Sequence, residues 1–406
     1  MSFEYKISSL LKNIVCFAIL VANNQYYAQK VGVVMSGGGA SGIAHIGVLK
    51  ALEENNIPIN CIAGTSIGSI IGGLYASGYS PLEIEKMVKE QAFSDLTKGE
   101  MSPKFGYYVR KRDDYASWRT LKLNLNGSLI SNLATNLINS VPIDFYLMET
   151  FAPANAASHY NFDSLFIPFR CVASDIEKKQ SVTFRDGDMP SAIRASMSYP
   201  FYIRPISIDS ALLFDGGLYN NFPTNVMYDE LYPDFMIGSS VTENSKMPSD
   251  DNLYLQLRNM LMNKSNFKPV CENGIIIQPW ADVSIFNFES AQRLIDSGYV
   301  ATMRQMPAIK AHVTNYENTA LLNEKRKAFR ERMQISKMTY DKIIVKGVST
   351  KMQKFVGKSI SNKGEPISFK QLKKQYFRLM ADEKIKSAYP TTQLDSTSGK
   401  FALTLN

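Results

Sequence analysis

The chain has 406 residues, a formal net charge of +8 and a hydrophobic fraction of 45%. That length holds two or three domains around a sizeable core, and the positive balance favours an anionic partner such as a membrane surface. No aromatic–basic pattern points to nucleic acid, and Cys61, Cys171 and Cys271 lack the spacing of a disulfide framework or a zinc site.

In chain order, Lys6 and Lys12 precede the apolar run Ile14 to Ala22, and a polar stretch follows. The run has the length of a signal-peptide core and is too short to span a bilayer, so residues 1–28 are expected to direct export. Cys16 has no small residue just before it, which argues against a lipoprotein cleavage site. Residues 30–36 read as a buried strand, and Gly37-Gly38-Gly39-Ala40-Ser41-Gly42 as a glycine turn. A helix is expected from Ile43 to Asn55. A second strand, Ile59 to Ala63, runs into Gly64-Thr65-Ser66-Ile67-Gly68, and a small-residue helix follows to Gly78. Another helix starts at Ser80, with Glu83 at the capping-box position. Alternating helices and continuously apolar strands mean an α/β sheet covered on both faces.

Residues 100–130 break the alternation and read as a lid-like insertion, before a helix from Ser131 to Asn139. Further strands are expected at 169–173, 235–239 and 274–278, with a short helix from Met189 to Ser198. Leu212 to Phe214 leads into Asp215-Gly216-Gly217. Glu324 to Arg332 reads as a charged, solvated connector. A strand at 341–347, helices near 350–360 and 367–381, and strand-like segments at 389–406 complete a small α+β unit.

The pentapeptide around Ser66 fits a G-x-S-x-G nucleophile elbow, which holds a serine on a strained strand-to-helix turn. The glycine turn offers converging backbone N–H groups and a helix N-terminus for an oxyanion. Its spacing through Gly37, Gly39 and Gly42 also fits a dinucleotide fingerprint. That rival expects an acidic residue ending the next strand, where Gly64-Thr65-Ser66 stands instead. A base is harder to find. His45 precedes the serine, His159 sits in a polar loop, and His312 lies in a helical stretch. Asp215, ending an apolar segment and followed by two glycines, is the better candidate, although Asp-Gly-Gly is also a plain turn. No cluster has metal-ligand spacing, and no cofactor is expected.

Taken together, these motifs closely resemble the patatin-like phospholipases. That family combines a glycine-rich oxyanion turn, a G-x-S-x-G elbow and a downstream D-G-G/A aspartate. The likeness runs over about residues 30–315, including Ala44 to Lys50, Gly72 to Gly78 and Ala195 to Pro200. It implies a three-layer α/β/α hydrolase sheet, with Ser66 as nucleophile and Asp215 as its base. Gly37, Gly38 and Gly39 would form the oxyanion hole, and Gly42, Gly64, Gly68, Gly216 and Gly217 are the remaining motif glycines. No histidine is required. The family often has Arg or Lys where this chain has Ser41, which bears on headgroup preference. The C-terminal unit resembles a POTRA domain, as in outer-membrane patatin proteins, whose β-barrel would be missing from this chain. The expected layout is a signal peptide at 1–28, a hydrolase at 30–315, a helical connector at 316–338 and the POTRA-like unit at 339–406. The expected activity is lipid acyl-ester hydrolysis (phospholipase A type) at the periplasm, the outer membrane or beyond. The alternatives are a general carboxylesterase and an envelope interaction protein with a vestigial hydrolase.

Overall fold

The computed structural model describes residues 29–100, 136–244, 249–251, 253–268, 273–279, 288, 290–333, 338–361, 364–382, 385, 387–395 and 397–406. The export segment at 1–28, nearly all of the lid-like insertion, most of the helix expected at 131–139 and Cys271 lie outside the described residues. Residues 136–139 themselves are not helical.

The two leading apolar runs become β1 (Val31–Met35) and β2 (Cys61–Thr65), buried at every residue. They pair in parallel, and β1 pairs in parallel on its other side with β7 (Phe235–Ser239). Next to β7 lies β8 (Gly274–Ile277), again parallel. Side chains alternate between two cores, as strand geometry requires. Val31, Val33 and Met35 join the main core. Val34 faces the opposite way, towards Phe222, Met227 and Leu231.

The main core is roofed by α1 (Ala44–Glu54), α2 (Ile67–Ala76) and α8 (Ala291–His312). Helices α1 and α8 cross at glycines. A Cβ on Gly47 would stand 1.9 Å from the Ile295 carbonyl oxygen, and one on Gly298 equally close to that of Ala44. The capping box expected at Ser80 is present and opens α3 (Pro81–Lys89); α4 (Gln91–Lys98) follows.

The decisive strand is β3 (Phe169–Asp175). Residues 171–175 pair antiparallel with β4 (Gln180–Phe184) along one edge. On the other edge, residues 169–172 pair with β2 and residues 173–175 with β6 (Ala211–Asp215), which β5 (Ile206–Ile208) extends outward. Strands β2 and β6 run in opposite directions along that shared edge. They therefore meet end to end, with Thr65 opposite Val172 and Asp215 opposite Ala173.

Several elements, among them α4, most of α8, β4 and β5, have no counterpart in the sequence reading, and two further helices bear on the packing. Helix α5 (Val141–Ala157) was not expected. It has no amphipathic period, because both of its sides are buried. Ile143, Leu147, Phe151 and Ala154 enter the main core. Val141, Phe145, Met148, Ala152 and Ala156 enter a second one. Helix α9 (Thr319–Arg332) is charged and mostly exposed, but it packs along one stripe. Leu322, Arg326 and Phe329 are buried on it, and the Arg326 guanidinium lies over the rings of Tyr75 and Phe166 at 5.5 and 5.2 Å. Burying the aliphatic stem of an arginine while its head pairs with Glu53 reconciles a charged sequence with a packed helix.

The second core belongs to a four-stranded sheet, ordered β10 (Ile367–Ser368), β9 (Thr339–Val345), β12 (Lys400–Leu405), β11 (Pro390–Asp395). Helices α10 (Thr350–Ser359) and α11 (Phe369–Met380) pack on it, and Ser368 caps α11 with a capping box. Phe145 of α5 inserts among Phe369, Tyr376 and Phe377, at ring distances of 5.6, 5.0 and 5.2 Å.

Candidate active site

The end-to-end meeting of β2 and β6 puts Ser66 beside Asp215. Ser66 follows β2 directly and has φ 55° and ψ −124°, a backbone conformation that costs a non-glycine residue about 1–3 kcal/mol. The turn holds because its glycines admit close backbone approach. A Cβ on Gly64 would lie 2.4 Å from the Gly68 carbonyl oxygen, and one on Gly68 2.5 Å from that of Met35. The half-buried Ser66 hydroxyl donates to Asp215 Oδ2 at 2.6 Å. The second carboxylate oxygen, Oδ1, accepts the Gly217 N–H at 2.7 Å. Gly216 lies against β3, where a Cβ would be 2.2 Å from the Val172 carbonyl oxygen. Burial pushes the Asp215 carboxyl up to about 6, and its hydrogen bonds with Ser66 and Gly217 pull the other way.

The residues just past α6 (Met189–Ser196) and its last residue hold both partners in place. Ser196 Oγ accepts the Ser66 N–H at 2.8 Å and donates to the Val172 carbonyl at 2.6 Å. The Ser198 carbonyl accepts the Asp215 N–H at 3.0 Å. Beneath them, buried Arg194 donates to Asp144 at 2.6 Å, to Ser198 Oγ at 2.6 Å and to the Arg204 carbonyl at 2.7 Å. Ser196 and Ser198 fall within the Ala195–Pro200 stretch of the sequence and Arg194 just before it, but their roles had no sequence signal because, Arg194–Ser198 apart, every partner is ten or more residues away.

The glycine turn lies at the same end of the sheet. Gly42 nestles on Ile67 of the elbow helix, where a Cβ would come within 2.0 Å of its Cγ2. Gly37 adjoins the serine: a Cβ on it would stand 3.2 Å from Ser66 Cβ. Its N–H, however, is taken by the Asn221 carbonyl at 3.1 Å. Of the expected trio Gly37, Gly38 and Gly39, Gly37 thus has its N–H engaged in this structure. Gly38 and Gly39 sit before and at the first position of the 3₁₀ turn Gly39–Ile43, so the turn does not use their N–H groups.

The histidines are elsewhere or otherwise engaged. His312 is stacked on Phe235 at the far end of β7, and His159 is exposed in a loop. His45 is fully buried. Its Nε2 faces the Ser36 carbonyl at 2.9 Å and must carry the proton, so Nδ1 accepts from Ser239 Oγ at 2.7 Å. Burial drives its pKa down to about 4, leaving it neutral as a tie between β1 and β7. Cys61 and Cys171 are buried free thiols, each pushed up to about 12 by burial. Among the described residues no group of three or more His, Cys, Asp or Glu side chains could hold a metal.

A hydroxyl on a strained turn, a carboxylate within hydrogen-bond reach and two nearby amides without a backbone acceptor among the described residues can support attack on an acyl carbon. Comparison with known proteins gives the same direction. Residues 33–228 match the family model described as patatin-like phospholipase. A patatin-like phospholipase domain-containing protein of Caenorhabditis elegans (ZK370.4) is 33% identical over 199 residues, covering 48% of this chain and 12% of that protein. Lysophospholipase NTE1 of Kluyveromyces lactis is 32% identical over 208 residues, with 49% and 12% covered. Patatin-like phospholipase domain-containing protein 6 of Mus musculus is 31% identical over 203 residues, with 48% and 12% covered. The matched stretch is therefore about an eighth of these relatives' own length. Among solved structures, VipD from Legionella pneumophila aligns over 70% of this chain and 67% of its own, with a TM-score of 0.36 and 12% identity.

Proposed function

We propose that the chain, whose residues 33–228 match the patatin-like phospholipase model and whose central sheet is mixed, is a serine lipid acyl hydrolase of the phospholipase A type. The observation that carries the reading is the 2.6 Å hydrogen bond from the strained Ser66 to Asp215. In the proposed cycle Asp215 Oδ2 takes the Ser66 proton as Oγ attacks the ester carbonyl carbon. The oxyanion rests on the Gly38 and Gly39 amides. Collapse expels the alcohol, which leaves with the proton from Asp215, and Ser66 is acylated. Water then attacks the acyl-enzyme, giving its proton to Asp215. The serine leaves with that proton, and a fatty acid is released. The names of the yeast and mouse relatives support a glycerophospholipid or lysophospholipid ester as the substrate. The net charge of +8 suits an anionic lipid surface. The apolar run at Ile14 to Ala22 supports export, to the periplasm, the outer membrane or the medium.

Ser66→Ala and Asp215→Ala should each abolish hydrolysis of a p-nitrophenyl ester while the circular-dichroism spectrum is kept. Retained turnover in either variant would sink the dyad. Release of fatty acid from phosphatidylglycerol vesicles separates a lipase from a carboxylesterase confined to short soluble esters.

A further inference from the structure

The proposed hydrolase chemistry makes the direction of the glycine-turn amides matter, and two residues outside the dyad set that direction. The Gly37 N–H donates to the Asn221 carbonyl at 3.1 Å. The Gly37 carbonyl accepts from Thr242 Oγ1 at 3.3 Å, and that hydroxyl accepts from Asn221 Nδ2 at 3.0 Å. Asn221 thus grips Gly37 at both polar groups, with its main-chain carbonyl at the N–H and with its side chain, through Thr242, at the carbonyl. Thr242 is anchored in turn. Its carbonyl accepts from Ser240 Oγ at 3.0 Å, and the neighbouring Val241 N–H donates to Ser36 Oγ at 3.0 Å.

The Gly37–Gly38 peptide is trans, so its carbonyl and N–H point in opposite directions. Holding the carbonyl on Thr242 holds the Gly38 N–H away from it. Gly37 adjoins both Asn221 and Ser66: a Cβ on it would be 2.3 Å from Asn221 Oδ1 and 3.2 Å from Ser66 Cβ. Glycines on both sides of this peptide leave it little intrinsic resistance to rotation. Rotated, it would present an oxygen where an oxyanion needs a donor. We propose that Asn221 and Thr242 are positioning residues that keep the Gly37–Gly38 peptide turned with its N–H towards the oxyanion of the Ser66 reaction.

The test compares Thr242→Val, which keeps the shape and removes the donor, with Thr242→Ser, which keeps the hydroxyl. The readouts are kcat, KM and Tm with p-nitrophenyl butyrate. Thr242→Val should lose about 10- to 100-fold in kcat, with KM changed by less than about threefold and the acid limb of the pH profile in place. Thr242→Ser should recover most of that loss. Asn221→Ala should fall in the same direction as Thr242→Val, which guards against a packing artefact at position 242. Wild-type kcat in Thr242→Val or in Asn221→Ala overturns the proposal, as does a Thr242→Ser as slow as Thr242→Val. A wild-type protein that turns over no ester removes the hydrolase premise, and this proposal with it.

Discussion

Asp215 is a buried carboxyl whose ionisation the proposed chemistry requires. Burial raises it from 3.8 to about 6, so kcat/KM should fall about tenfold per pH unit below that point. The same shift bears on stability. The folded pKa lies above the unfolded one, so the ionised carboxylate opposes folding. That opposition is complete above pH 6 and fades as the pH falls towards 3.8. Asp215→Asn should therefore stabilise the fold by on the order of 2–3 kcal/mol at pH 8 and by little at pH 4, read by urea unfolding. A gain independent of pH would contradict the buried charge. Ser66 and Asp215 are legible in the sequence because a tight turn confines their chemistry to five and three residues. Asn221, Thr242, Ser196 and His45 are not, because each acts on a partner brought near only by the sheet. The same applies to Gly37, whose N–H is lost to a carbonyl 184 positions further along the chain.

Among elements, α6 is the platform. Arg194 and Asp144 form a nearly fully buried ion pair, 1% and 7% exposed. The Arg194 fork also holds Ser198, whose carbonyl fixes the Asp215 N–H. Arg194→Met leaves Asp144 buried with its cation gone and should cost about 3–5 kcal/mol. Adding Asp144→Leu should restore most of that stability but not the ester turnover, because Ser198 is still unheld. Equal recovery of both would make the pair purely structural. Strands β1, β2, β3, β7 and β8 are readable as apolar runs, and the capped helices as periodic ones, whereas the partly exposed β4 and β5 are not. Helix α5 is not, since a helix buried on both sides has no polar face to set a period, and Pro153 inside it reads as a break.

At the scale of the whole molecule, α5 joins the eight-stranded sheet to the C-terminal sheet. One side of it fills each core. Phe145→Ala should cost about 3–5 kcal/mol and should lower the midpoints for loss of esterase activity and for loss of helical signal together. A drop confined to the helical signal would show that the two sheets unfold independently. The sequence order of the C-terminal elements is readable, but not its dependence on a helix some 200 residues earlier. All of these contacts converge on the claim that Ser66 is an activated nucleophile with Asp215 as its base. Its most direct test is the rate of covalent modification by a fluorophosphonate, followed by intact mass and peptide mapping. The account predicts a single adduct on Ser66, formed more slowly below pH 6 and at least about 100-fold more slowly in Asp215→Ala; no adduct, or one whose rate ignores Asp215, would contradict it.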